Sequence, residues 1–445
     1  MKTILLLGAG MSSSSLIRYL LVESEKFDWK LNVVDQNTAL VLKKIAKHPR
    51  AEALSFNALD TTERRKNIEE ADLVISMLPA RFHPDIAKDC IELKTNLITP
   101  SYLAPEMKAL AEKAVQAGVI IMNEVGVDPG IDHMSAMQII HKIQGLGAEM
   151  VSFKSFCGGL IAPESDNNPW HYKFTWNPRN VVLAGQGSAA AFIQNNEFKY
   201  IPYNQLFKRT ERFVIGDFGE FEGYANRDSF AYRETYGLFD IKTIYRGTLR
   251  RPNFCDAWNV FVELGMTDDS YSLFESHKMS PRKFVNSFLP YHQTKTVEEK
   301  FHNFLGSERT HLFHQFEWLG LFDDERVLGL EKATPAQLLE NILIGRLSLS
   351  PGDKDMLVMY HEFDYILNGT QKQILSSMIC LGADQTYTAM SDTVGLPVGM
   401  MAKLILNGDF TKPGIHLPVD KEVYEPILHE LKSFGISFHE IENDL

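Results

Sequence analysis

Cysteine is scarce. Cys90, Cys157, Cys255 and Cys380 lie far apart with no C-x-x-C pair, which excludes a disulfide scaffold, argues against a structural zinc site and makes reduced thiols in a cytoplasm the expectation. Positive charge is also short, since 45 Lys and Arg against 57 Asp and Glu leave a formal charge of -12. Neither nucleic acid nor an anionic membrane surface is an expected partner. No uninterrupted apolar run approaches the roughly eighteen residues of a membrane helix, and Leu5 to Ser15 lacks the core and cleavage site of a signal peptide. Internal repeats and low-complexity tracts are absent. What is there, at 44% hydrophobic and 23% charged, is the composition of a globular protein. A chain of 445 residues is too long for one ordinary core, so two or three domains are expected.

The stretch from Thr3 to Asp35 organises the rest. Thr3 to Leu7 is a short apolar run of the kind buried on both faces of a sheet. Gly8-Ala9-Gly10 follows, where a sharp turn and a close backbone approach favour residues without a Cβ. Met11 to Glu23 then has Leu16, Ile17, Leu20 and Leu21 at helical spacing, and Leu31 to Val34 is a second strand ending in Asp35. Strand, glycine turn, helix, strand and terminal acid is the order of a dinucleotide-binding βαβ unit. The third glycine position of that fingerprint holds Ser13, so the order of elements carries the reading. A carboxylate at Asp35 is expected to accept from the free 2′-hydroxyl of NAD and to repel the 2′-phosphate of NADP. NAD is the expected cofactor.

The alternation continues. Strands are predicted at 53–56, 72–76, 96–99 and 119–122 with helices between them, an α/β Rossmann arrangement with a doubly wound parallel sheet. Ligands of such sheets sit beyond the carboxyl ends of the strands. From about Ile131 the rhythm changes to strand-like runs at 150–156, 181–183 and 212–215. The stretch 253–347 is helical in pattern, 356–380 reads as a hairpin turning at Asn368-Gly369, and Tyr387 to Asn407 as a final long helix.

At Asn123 to Met134 the sequence NEVGVDPGIDHM resembles the glutamate-forming saccharopine dehydrogenases. The likeness extends through Phe156 to Leu160, Ala162-Pro163-Glu164, Asn168-Pro169, Tyr172-Lys173-Phe174, Asn226 to Ser229 and Arg246 to Arg250. The family implies a Rossmann domain over 1–130 and 384–445, a mixed α/β substrate and dimerisation domain over 131–252 and 350–383, and an all-helical domain over 253–349. It implies hydride transfer at the C–N bond that joins glutamate and 2-aminoadipate semialdehyde in saccharopine, a step of lysine metabolism, in a homodimer. On its pattern the cofactor is lined by Gly8, Ala9, Gly10, Met11, Ser12, Asp35, Gln36, Asn37, Asn57, Ala58, Leu78, Pro100, Ser101, Val127, Asp128 and Pro129. Saccharopine is held by Ser101, Tyr102, Asp128, Arg227, Thr248, Leu249 and Arg250. The sequence departs from NADP-using fungal members after the second strand, where Asp35-Gln36-Asn37 replaces a basic residue and a hydroxyl. It departs again at Ala9, Met11 and Asp384-Gln385-Thr386.

Saccharopine's three carboxylates call for guanidinium groups. Arg227 and Arg250 are the candidates, while Arg246 and Arg251 read as solvated strand positions. Iminium hydrolysis needs a proton carrier; Asp128 and Tyr102 are the catalytic candidates, and Asp128 fits equally the cap of a helix starting after Asp-Pro-Gly. His133 reads as a packed histidine. No metal is expected, because no spaced ligand set recurs and hydride transfer needs none. Two other readings stay open: a sister dehydrogenase acting on a carboxylated secondary amine such as carboxynorspermidine, and a non-catalytic NAD-binding sensor.

Overall fold

The apolar run after Lys2 forms β1 (Lys2–Leu7), in which Ile4, Leu5, Leu6 and Leu7 are completely buried. The computed structural model describes residues 1–445 and separates two units, Met1–Met150 with Asp364–Leu445, and Val151–Phe363. In the first unit β2 (Trp29–Val34), β3 (Ala51–Leu54), β4 (Leu73–Ser76), β5 (Asn96–Ile98) and β6 (Ile120–Met122) join β1 in the order β3-β2-β1-β4-β5-β6, all parallel. The strand order reverses beside β1, so the crevice of a doubly wound sheet opens at the carboxyl ends of β1 and β4. Gly8 and Met77 stand there, tied back by Gly8 N to Val34 O and Met77 N to Leu7 O, both 2.8 Å.

The second unit is built on a mixed sheet. Its strands are β7 (Glu149–Ile161), β8 (Ala190–Gln194), β9 (Glu197–Ile201), β10 (Thr210–Val214), β11 (Glu220–Ala225), β12 (Thr243–Arg250) and β13 (Asp355–Leu367). They run β10-β11-β12-β7-β13, with β8 paired to β12 and β9. The β8–β9 hairpin escaped the sequence reading although its turn, Asn195-Asn196 with φ of 50° and 66°, has the left-handed pair that a two-residue hairpin requires. The run 181–183, expected as a strand, falls instead on the end of a short helix, Pro178–Val182, and its C-cap Leu183; the helix start is capped by Asn177 accepting from Arg179 N. A cap followed by proline outweighed the β-branched pair. The predominantly helical stretch contains Phe254–Leu264, Val297–Arg309 and Pro335–Leu347, the last two opened by capping boxes at Thr296 and Thr334. Trp170 fixes it to the sheet side of the unit, stacked on Phe261 at 5.6 Å and edge-on to Phe316 at 5.7 Å.

The chain re-enters the first unit at Asp364, within β13, and turns at Asn368-Gly369 into β14 (Thr370–Leu381). The helix Ala389–Asn407 follows. By length and hydropathy it could cross a bilayer, yet it lies in the core of this unit, where a Cβ on Gly395 would meet Leu16 N at 2.8 Å and one on Gly399 would meet the Tyr19 ring at 2.5 Å. These close approaches seat it on the helix Ser14–Phe27, the first helix of the dinucleotide unit. It is not the last helix: β15 (Gly414–His416) adds to β6 as a seventh parallel strand, and Lys421–Leu431 follows before β16 (His439–Asp444) pairs with β14.

Candidate active site

Gly8 turns the chain with φ of +99°, and a Cβ there would press on Met77 and Leu78 at 3.3 Å. Beyond it, neither N-cap residue, Gly10 or Ser13, caps the short 3-10 turn Met11–Ser13 or the helix Ser14–Phe27 that continues it; Ser15 N is taken by Ser391 Oγ at 3.0 Å, and a Cβ on Gly10 would meet nothing within 4 Å. Open amides at a helix start beside uncluttered space are what a pyrophosphate needs. The residues present therefore fit a dinucleotide. Leu78 and Pro100 line the ends of β4 and β5, Met11 is exposed, and Asn57 turns the chain after β3 by accepting from Leu59 N at 3.0 Å, with Ala58 buried beside it.

Asp35 does not present two free oxygens to a ribose. Its Oδ2 accepts from Ala9 N and its Oδ1 from Asn37 N, both at 2.8 Å, so the carboxylate braces the glycine turn against the start of the next helix. Gln36 lies exposed between the braced residues, and Asn37 caps that helix by accepting from Leu40 N. Lys44, which the sequence reading passed over, donates to Gly10 O at 2.5 Å and to Ser13 Oγ at 3.1 Å. Burial pulls its pKa down to about 8, against the opposing pull of Asp35.

The loops after β5 and β6 meet through side chains. Tyr102 Oη donates to Asp128 Oδ1 at 3.0 Å, which joins the two catalytic candidates. The N-cap position of the helix Ile131–Gly145 is Gly130, whose N is taken by Asp132 Oδ1 at 2.5 Å. Glu124 accepts from Leu103 N and pairs with the completely buried His133, both at 2.7 Å, and this pair ties the two loops together. Val127 and Pro129 are buried beside Asp128. Ser101, expected at both cofactor and substrate, is held from behind by His83, whose Nε2 is shared with Thr99 at 2.9 Å to each hydroxyl. Burial lowers the His83 pKa to about 4, so the ring is neutral near pH 7. Nothing in the sequence pointed to His83, because a histidine at a helix start has no motif of its own.

In the second unit Arg250 ends β12 with 4% of its surface exposed. One Nη donates to Leu249 O at 2.8 Å, Nε has no acceptor, and no carboxylate pairs with it. Glu222 stands opposite in the strand register, but its carboxylate is turned to Cys255 N at 2.6 Å. Around the guanidinium stand Tyr172, Phe254 and Tyr224, with ring centres 5.2, 5.3 and 5.9 Å away. The Tyr172 hydroxyl is buried without a partner, and burial pushes its pKa up to about 12. Thr248 stands opposite Tyr224 in the strand register, and Leu249 is completely buried. A Cβ on Gly158 would strike Leu249 O at 2.5 Å, which explains a glycine in that motif. Arg227 differs: it is exposed on a turn at φ of 48°. Arg246, read from sequence as solvated, is buried at 5% exposure against the Tyr232 ring at 3.9 Å; the strand is covered on both faces, so no position here is a solvated one.

A glycine turn at the switch point of a parallel sheet defines a protein of the dinucleotide-binding class, and its second unit buries a guanidinium that no carboxylate pairs with. Two family models cover the chain, the saccharopine dehydrogenase NADP binding domain over residues 4–122 and the saccharopine dehydrogenase C-terminal domain over 126–436. The chain belongs to the saccharopine dehydrogenase family. It is 31% identical over 99% of both chains to saccharopine dehydrogenase [NADP(+), L-glutamate-forming] of Saccharomyces cerevisiae. It is also 33% identical, over 98% of its own length, to the mitochondrial alpha-aminoadipic semialdehyde synthase of Rattus norvegicus, of which it spans 47%. The solved apo saccharopine dehydrogenase (L-Glu forming) from Saccharomyces cerevisiae superposes with a TM-score of 0.90 over 100% of both chains at 29% identity.

These comparisons overturn the expectation of NAD. The matched first domain is an NADP binding domain, and the relatives from Saccharomyces cerevisiae, Schizosaccharomyces pombe and Pyricularia oryzae carry NADP(+) in their names. The physical reason lies in Asp35: both of its oxygens already accept backbone amides, so its presence at the end of β2 does not report a ribose hydroxyl.

Proposed function

We propose that the protein interconverts saccharopine and water with L-glutamate and 2-aminoadipate 6-semialdehyde, using NADP. The observation that carries this reading is Arg250, a buried guanidinium with an orphaned Nε beside the orphaned Tyr172 hydroxyl. Burying a cation without a counter-ion is unfavourable unless a ligand supplies one, and a substrate carboxylate supplies both the charge and the acceptors. Arg227, Thr248 and Leu249 complete that subsite. In the first unit the turn Gly8 to Ser12, with Asp35 to Asn37, Asn57, Ala58, Leu78, Pro100, Ser101 and Val127 to Pro129, holds the dinucleotide. When bound, its nicotinamide exchanges hydride with the substrate carbon next to the secondary nitrogen. Asp128 carries the proton needed when water adds and the amine departs, and Tyr102 holds its Oδ1 in place at 3.0 Å. Ser101, fixed by neutral His83, keeps its hydroxyl aimed by a rigid support.

The test is absorbance of reduced nicotinamide on mixing purified protein with saccharopine and NADP, with glutamate assayed as product. Formation of NADPH and glutamate in equal amounts is expected. Protein that binds NADPH but leaves saccharopine unchanged would refute the proposal.

A further inference from the structure

The NADP reading raises a question that Asp35 makes sharp: a 2′-phosphate brought to the end of β2 meets a carboxylate there, and needs a cation to offset it. Lys44 lies in the last turn of the helix Thr38–Ile45 and reaches back to the glycine turn. Its ammonium has three N–H donors, of which Gly10 O and Ser13 Oγ take two. The third has no protein acceptor. The side chain is partly buried and close enough to Asp35 for the two charges to interact. It thus stands between the turn that receives the pyrophosphate and the strand end that receives the adenosine ribose. The neighbouring Lys43 is exposed.

We infer that Lys44 is the residue that reads the 2′-phosphate, its third N–H donating to a phosphate oxygen while the first two hold it at the turn. This rests on the proposal that the cofactor is NADP, and it assigns to the chain a phosphate contact outside the Asp35-Gln36-Asn37 segment. The division of labour is specific. Asp35 shapes the turn through Ala9 and Asn37, and Lys44 supplies the charge that discriminates.

The experiment measures dissociation constants of NADPH and NADH, by nucleotide fluorescence on the full chain, for the wild type, Lys44→Met and Lys44→Arg. Loss of one charge-assisted hydrogen bond should weaken NADPH about 30-fold more than NADH in Lys44→Met, beyond a common loss of about fivefold from the released turn. Lys44→Arg, which keeps the charge, should restore most of the preference. Equal weakening of both nucleotides would show that Lys44 only braces the turn, and an unchanged ratio would remove it from the phosphate; either overturns the inference. The wild type separates the underlying reading: if it binds NADH as tightly as NADPH, the NADP proposal fails and this one with it. If the wild type prefers NADPH and Lys44→Met does too, only the assignment to Lys44 fails. Should Lys44→Met not fold, the same comparison on Lys44→Arg and Lys44→Gln, each checked by circular dichroism, decides it.

Discussion

Asp35 in the first unit and Arg250 in the second are both charged residues at strand ends, and they are opposite in what surrounds them. The two carboxylate oxygens of Asp35 already accept Ala9 N and Asn37 N. Arg250 is buried with an orphaned Nε and no counter-ion. A charge taken up by its own backbone organises the protein, whereas a charge buried and left unpaired waits for a ligand. Position in a motif does not distinguish these cases, and the inventory of donors and acceptors does.

The largest effect expected from this contrast is at Arg250. Arg250→Met should lower kcat/KM for saccharopine by roughly a hundredfold to a thousandfold, the scale of removing a buried charged grip on a carboxylate. Its melting temperature should hold or rise, because an apolar side chain of similar length removes an uncompensated buried cation. A fall in melting temperature with unchanged activity in the surviving folded protein would make Arg250 structural and break the contrast. A smaller effect is expected at Asp128. Asp128→Asn should reduce turnover about a hundredfold, within the range of general acid–base catalysis, and leave the NADPH dissociation constant within about threefold. The N-cap of the helix Ile131–Gly145 is Gly130 and not this residue, so melting temperature should barely move. Turnover within a few-fold of the wild type would remove Asp128 from the proton path.

How far the sequence led follows from the same distinction. The parallel sheet was readable because Ile4 to Leu7 and Leu73 to Ile75 are buried on both faces and so appear as unbroken apolar runs. Asp128 and Tyr102 were legible as candidates from the family pattern, and the structure joins them by one hydrogen bond. Lys44 and His83 were not, because each acts across the fold, Lys44 on a turn 34 residues away and His83 on a hydroxyl 18 residues away. Neither distance leaves a periodic trace. Tyr172 stood inside a quoted motif without a role, since only burial reveals that its hydroxyl lacks a partner. The short strands β9 and β16 were missed for another reason: they lie at sheet edges and are largely exposed, β16 along its whole length, so no buried apolar pattern marks them.

The smallest effect tests the other side of the contrast. If Asp35 braces the turn and does not select the nucleotide, Asp35→Asn exchanges one acceptor oxygen for an NH2 group, and one of the two amides it holds loses its partner. NADPH and NADH should then weaken together by roughly fivefold at pH 6.5, the scale of one hydrogen bond. The pH profile adds a second reading of the same variant. Lys44 titrates at about 8 because burial lowers it while Asp35, the charged group facing it, raises it. In the wild type the preference for NADPH over NADH should therefore decline as pH rises through about 8, when Lys44 loses its proton and the phosphate its cation. Without the Asp35 charge Lys44 titrates lower, so the decline should begin at a lower pH. Titrations of both nucleotides between pH 6.5 and 9 measure this. A profile that stays flat in the wild type would disconnect Lys44 from the phosphate, and a variant that loses NADH far more than NADPH would return Asp35 to the ribose hydroxyl.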